Sequence, residues 1–95
     1  MAPVHEAAEK NDVEALRGIL DAEPGLADES DVWGQGPLHH ACKAGSLEAA
    51  RLLLDRGADM ESRCYDGSTP LMEACYYGRA EVVALLLTRG ADPLA

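Results

Sequence analysis

The segment Gly34-Gln35-Gly36-Pro37-Leu38-His39-His40-Ala41-Cys42-Lys43-Ala44-Gly45 returns thirty-three residues later as Gly67-Ser68-Thr69-Pro70-Leu71-Met72-Glu73-Ala74-Cys75-Tyr76-Tyr77-Gly78. Laid over Cys64 to Ala95, the stretch Asp31 to Ser62 is identical at 14 of 32 positions, among them Pro37/Pro70, Ala41/Ala74, Gly45/Gly78 and the run Gly57-Ala58-Asp59 over Gly90-Ala91-Asp92. A fixed period of this length constrains the fold more than any other feature. One such unit is too small to bury its own apolar face, so copies must stack and form a core between them. A weaker copy precedes these two at a shift of 34, where Pro3, His5, Ala7, Glu14, Ala15, Arg17, Leu20 and Asp21 fall on Pro37, His39, Ala41, Glu48, Ala49, Arg51, Leu54 and Asp55.

Each copy reads as two short helices. Pro3 opens the first, Pro3 to Lys10, at a position where its missing N–H does no harm, and Val4, Ala7 and Ala8 share one face. Asp12 is placed to cap a second helix, Val13 to Ala22, with Val13, Leu16, Ile19 and Leu20 at helical spacing. Glu23-Pro24-Gly25 stops it, and Leu26 to Trp33 is a polar connection. In the next copy Leu38, Ala41 and Cys42 form the inward stripe of Pro37 to Ala44. Gly45 supplies the left-handed residue that ends the helix, and Ser46 is placed to cap Leu47 to Arg56. Asp59 to Ser68 is expected as an extended, hairpin-like excursion turning at Asp66-Gly67, and Thr69 to Arg89 repeats the course. Leu53 and Leu86 are expected in the core. By the same periodicity Cys42 and Cys75 are expected as buried reduced thiols, whereas His40, Glu73, Tyr76 and Tyr77 fall off the inward stripes and should face solvent.

Thr69-Pro70-Leu71, the partial motif Pro37-Leu38-His39-His40-Ala41 and the paired Gly-Ala-Asp runs together resemble the ankyrin repeat across essentially the whole chain. The resemblance implies an all-α ankyrin-repeat solenoid of about three helix-turn-helix repeats joined by β-hairpin-like finger loops. It divides a single domain, 1–95, into a degenerate N-terminal cap at about 1–30, a second repeat at about 31–63 and a third at about 64–95 that lacks a C-terminal capping repeat. Glu6, Glu9, Lys10, Glu14 and Arg17 would be the polar outer face of the cap. The family's paired Thr and His are split here, Gly36 with His39 and Thr69 with Met72, which predicts looser turns. His5 and His39 match the family's structural histidine. The family's partner-binding concave groove maps onto Val32, Trp33, Gln35, Lys43 and Ala44 of the second repeat and Tyr65, Asp66, Ser68, Tyr76 and Tyr77 of the third. The implied function is a protein-binding module or scaffold with a protein or peptide partner. Two further readings stand beside it: a regulatory or inhibitory segment of a longer enzyme or signalling protein, and a reader of methylated lysine using the same aromatic rings. At the C-terminal end Val82, Val83, Leu85, Leu86 and Leu87 have no capping repeat over them, which predicts either a longer array or self-association through that face.

Charge narrows the partners. The net charge is −9, and residues 1–31 hold nine acids against two bases. Phosphate backbones and anionic membrane surfaces call for Lys and Arg clusters, so neither nucleic acid nor membrane is expected as a partner. No basic and apolar leader opens the chain, and the expected setting is intracellular, cytoplasmic or nuclear. A zinc site from Cys42, His39 or His40 and Cys64 fails on spacing, with no Cys-x-x-Cys and no His-x-x-x-His, so no metal or cofactor is expected. Phosphate-loop and nucleophile-elbow motifs are absent, and the chain is not expected to be an enzyme.

Overall fold

A computed structural model describes residues 3–93, in which the helices run in the order that the repeat dictates: α1 (Pro3–Glu9), α2 (Val13–Ala22), a 3-10 turn (Pro24–Asp28), α3 (Pro37–Ala44), α4 (Leu47–Asp55), α5 (Pro70–Tyr76) and α6 (Ala80–Thr88). Met1, Ala2, Leu94 and Ala95, the ends of the first and third repeats, lie outside the described residues. α1, α3 and α5 stand side by side as an inner row, and α2, α4 and α6 form an outer row against it. Ala8, Ala41, Ala49, Ala50 and Ala74 are fully buried. These small residues let the rows approach closely, so that Leu16, Leu20, Leu53 and Leu86, also fully buried, fill the space between repeats. This is an all-α ankyrin-type solenoid. Its fingers carry no β-strand among the described residues; each is a turn closed by a hairpin-like bond, Asp31 N to Gln35 O at 2.9 Å and Cys64 N to Ser68 O at 3.0 Å.

The second layer of cohesion is a set of polar links that repeats with the sequence. Ser46 Oγ donates to Glu9 O at 2.8 Å, and Arg79 Nε, one repeat later, donates to Lys43 O at 2.9 Å. Asp28 accepts from Asp59 N, and Glu61 accepts from Asp92 N, each at 2.9 Å. Arg56 pairs with Asp21 at 2.7 Å and Arg89 with Asp55 at 2.9 Å. These ion pairs are partly exposed, and exposed pairs contribute about 0–1 kcal/mol each. Their repetition fixes the register between units while burial supplies most of the energy.

Several local expectations are corrected. Ser46 makes no capping bond to α4, because its hydroxyl is spent on the preceding repeat. The cap comes instead from Asn11, whose Oδ1 accepts from Ala49 N at 2.9 Å while its Nδ2 donates to Glu48. Asn11 adopts φ 58°, the left-handed conformation that Gly45 takes at the same place with φ 76°. Cys42 is buried, and burial together with the nearby Glu73 charge pushes its thiol up to about 12. Cys75, expected to match it, is exposed, since nothing among the described residues stacks beyond the third repeat as α5 stacks on α3. The C-terminal apolar exposure is narrower than the periodicity predicts. Val82 and Leu86 are buried and Val83 and Leu85 half-buried, leaving Leu87 as the exposed member of that group. Within each unit the split Thr/His motif retains half of its tie: His39 Nδ1 accepts from Gly36 N at 3.2 Å, and Thr69 Oγ1 accepts from Met72 N at 3.3 Å.

Two substitutions test this packing. Leu53→Ala or Leu86→Ala should lower stability by about 2–5 kcal/mol in denaturant unfolding, because both side chains are wholly enclosed. Gly18→Ala should raise it by roughly 0.5–1 kcal/mol, since Gly18 lies inside α2 and an added methyl meets nothing within 4 Å. A neutral Leu53→Ala, or a destabilising Gly18→Ala, would contradict the stacking described.

Candidate functional site

The fingers curl over the inner row and leave a groove whose walls differ from the core in residue type. Val32, Trp33 and Tyr65 sit at the finger tips with 79%, 68% and 79% of their surface exposed. Asp31 shapes the first tip by accepting the Trp33 and Gln35 amides, each at 2.9 Å. Gly34 turns there with φ 78°, and a Cβ at that position would lie 2.6 Å from the Tyr65 ring. Glycine is therefore required both by the turn and by the aromatic packed on it. Tyr65 N donates to Trp33 O at 2.9 Å, joining the two tips so that their rings project from one ridge.

Two clefts open below that ridge. The first, of about 700 Å³, lies between α1, α3 and the first finger, with Glu9, Asp31, His40 and Trp33 in its lining. The second, of about 530 Å³, is lined by Trp33, Gln35, Lys43, Cys64, Tyr65 and Asp66. Trp33, Gln35 and Lys43 border both, so the clefts are continuous, and Lys43 Nζ donates to Gln35 Oε1 at 3.2 Å on their shared wall. Of the residues the sequence proposes for partner binding, the structure gathers Val32, Trp33, Gln35, Lys43, Tyr65 and Asp66. Ser68 is half-buried and structural, its carbonyl accepting from His39 Nε2 at 2.9 Å. Tyr76 and Tyr77 are exposed, ring edge against ring face at 5.0 Å, but line neither cleft.

The floor of the first cleft overturns one sequence expectation. His40, predicted at the surface, is 5% exposed, its Nε2 2.8 Å from Asp31 and its Nδ1 3.4 Å from Glu9. Helical periodicity places it off the apolar stripe, yet the finger and α1 close over that side. Glu73, at the equivalent position of the third repeat, is likewise buried rather than solvated. Burial alone would raise Asp31, but the bonds from His40 and from the Gln35 and Trp33 amides outweigh it and hold the carboxyl below its ordinary value. His39 moves the other way from charge: burial dominates and keeps its imidazole below the usual histidine range. That neutral ring accepts from Gly36 and donates to Ser68. His5 Nε2 similarly lies 2.7 Å from Glu29 O. Both structural histidines thus tie a helix to the following connection. Glu9, expected on the polar outer face of the cap, lines the first cleft instead, and the signal that could have found it is the shift of 34, which sets it on Lys43. The Asp31–His40 pair was not, because it depends on how the finger folds.

A family profile described as "Ankyrin repeats (3 copies)" matches residues 4–95, and the chain belongs to the ankyrin-repeat family. The human ASB11 ankyrin repeat domain superposes with a TM-score of 0.89 at 33% identity, covering 97% of this chain and 41% of that one. The mouse 2-5A-dependent ribonuclease is 36% identical over 64 residues, 67% of this chain and 9% of that protein. The Arabidopsis thaliana E3 ubiquitin-protein ligase XBAT33 is 46% identical over 64 residues, 66% of this chain and 12% of that protein. The chain thus matches only about a tenth of the length of these curated relatives. Ankyrin repeats are in general protein–protein interaction modules, and no helix among the described residues is long and apolar enough to cross a membrane.

The depressed Asp31 carboxyl gives a pH prediction. Its folded value lies below the unfolded one, so the stability it adds is complete above the ordinary aspartate value and is lost as the pH falls through the folded value. Asp31→Asn keeps an acceptor for the finger amides and loses the charge facing His40. The variant should be less stable than wild type at neutral pH by about 1–3 kcal/mol. The gap should close on acidification, and unfolding curves showing a gap constant with pH would contradict the assignment.

Proposed function

We propose that the chain is a non-enzymatic binding unit that takes a segment of a protein partner along the concave groove, anchored on Trp33 and Tyr65. The observation that carries this reading is the pair of linked finger tips, whose rings stand more than two-thirds exposed beside the continuous cleft. Rings of this kind offer large contact area at little cost in side-chain freedom. Glu9, Asp31 and Asp66 in the cleft walls, with the net charge of −9, favour a partner segment that sets a basic side chain beside an apolar anchor. Binding is preferred to catalysis because both ring nitrogens of His39 are committed to the backbone and His5 is held by Glu29 O with no nucleophile bonded to its other nitrogen. A methyl-lysine cage draws less support: Trp33 and Tyr65 line a common cleft, whereas Tyr76 and Tyr77 pair with each other away from it.

A second reading places this binding unit as a regulatory segment within a longer signalling or catalytic protein. It is favoured by the relatives, a ribonuclease and a ubiquitin ligase, of which the matching stretch is a small part. Under either reading the groove does the binding.

The test is to capture partners with wild type and with Trp33→Ala/Tyr65→Ala, then measure affinity for a captured protein by calorimetry. Trp33→Ala alone should cost about 2 kcal/mol, roughly thirtyfold, while shifting unfolding stability by no more than about 0.5 kcal/mol, as for an exposed side chain. Equal affinity in Trp33→Ala and Tyr65→Ala, or weakening matched by unfolding, would move the search to the outer helices.

A further inference from the structure

The fold brings positions 31 and 40 of the second repeat together, and there they hold an aspartate and a histidine bonded at 2.8 Å. One period later the same two positions are Cys64 and Glu73. The complementary pair has become a thiol and a carboxylate, and Asp66 adds a second carboxylate from the finger tip. The Cys64 sulfur and one oxygen from each acid all lie within 4.8 Å of one another. Cys64 is 6% and Glu73 9% exposed. Cys64 donates to Asp66 at 2.8 Å. Glu73, by contrast, is aimed into the cluster with no hydrogen-bond or ion-pair partner for its carboxylate among the described residues. Basic side chains in this region are engaged elsewhere: Arg63 on Gly67 O, Lys43 on Gln35, Arg79 on Lys43 O. The Glu73 side chain is nine-tenths buried and its carboxylate has only solvent to bond to, so a cation held between these three groups would give it the partner that the protein does not.

We propose that Cys64, Asp66 and Glu73 form a binding site for a thiophilic divalent cation, with Zn²⁺ as the natural occupant. One sulfur and two carboxylate oxygens suit zinc, and the thiolate disfavours Mg²⁺ and Ca²⁺, which take oxygen ligands. Metal–ligand bonds of about 2.0–2.3 Å require ligand atoms roughly 3.5 Å apart in a tetrahedron. Rotation of the exposed Asp66 side chain closes the remaining distance. On binding, the Cys64 S–H proton passes to solvent, the thiolate and two carboxylates ligate, and water completes the fourth position. The site is peculiar to the third repeat. The first places Glu6 at the position of Glu73, and the second has Trp33 at that of Asp66.

The experiment titrates the reduced chain with Zn²⁺ by calorimetry, and with Co²⁺ to read thiolate-to-metal charge transfer. Wild type should bind one ion, with the charge-transfer band present and the melting temperature raised by the metal. Cys64→Ser should lose the band, and Glu73→Gln and Asp66→Asn should each bind at least about tenfold more weakly. Cys75→Ser, which removes the exposed thiol, should change none of this. Melting the metal-free variants checks their folding, and Asp66→Asn, which keeps an acceptor for Ser68 N, decides the matter if Glu73→Gln is unstable. No saturable binding by wild type overturns the site. So does a band that survives Cys64→Ser and vanishes in Cys75→Ser, or unchanged affinity in a folded Asp66→Asn.

Discussion

Burial between neighbouring repeats is the interaction on which the rest of this molecule depends. No helix pair here encloses a core by itself. Leu53 is fully buried because α4 lies between α2 and α6, and Leu86 because α6 lies against α4 and α5. The alanines of the inner row are the enabling residues, since larger side chains at Ala41 or Ala74 would hold the rows apart and leave the leucines underpacked. Stability in such an array is close to a sum of unit and interface terms. The polar links that recur at Ser46 and Arg79, and at Asp28 and Glu61, then act on register, a role in which a modest energy at a fixed position is sufficient.

That stacking also explains why the groove has its composition. Each finger must close over the inner row, and the bonds that achieve this, within a repeat and to the following connection, use the groups that would otherwise have been available for chemistry. His39 is consumed by Gly36 and Ser68, one ring nitrogen of His5 by Glu29, and Asp31 by its own turn and by His40. The large side chains left exposed at the finger tips are apolar or aromatic: Val32, Trp33 and Tyr65. A surface that presents exposed rings beside a cleft is suited to contact with another macromolecule.

The third repeat departs from this economy. Where the second repeat sets His40 against Asp31, the third sets Glu73 against Cys64, and no partner inside the described residues neutralises Glu73. The same backbone thus carries two different electrostatic solutions one period apart.

The sequence by itself determined the period, the two rows of helices and most of their limits, because apolar spacing, proline starts and glycine stops are local properties of the chain. It also located Trp33 and Tyr65, since aromatic residues absent from every inward stripe must project elsewhere. Tertiary structure alone decided which off-stripe positions are solvated. A helical wheel assigns His40, Glu73, Tyr76 and Tyr77 to one side, and the folded chain buries the first two while exposing the others. The reason is that the finger covers only part of that side, and the path of a turn is set by bonds such as Asp31 to Gln35 and Tyr65 to Trp33 that have no periodic signature. Cys42 and Cys75 are identical by sequence position and opposite in exposure for a related reason: burial in a stack depends on whether another layer follows, which a residue's own surroundings in the chain do not encode.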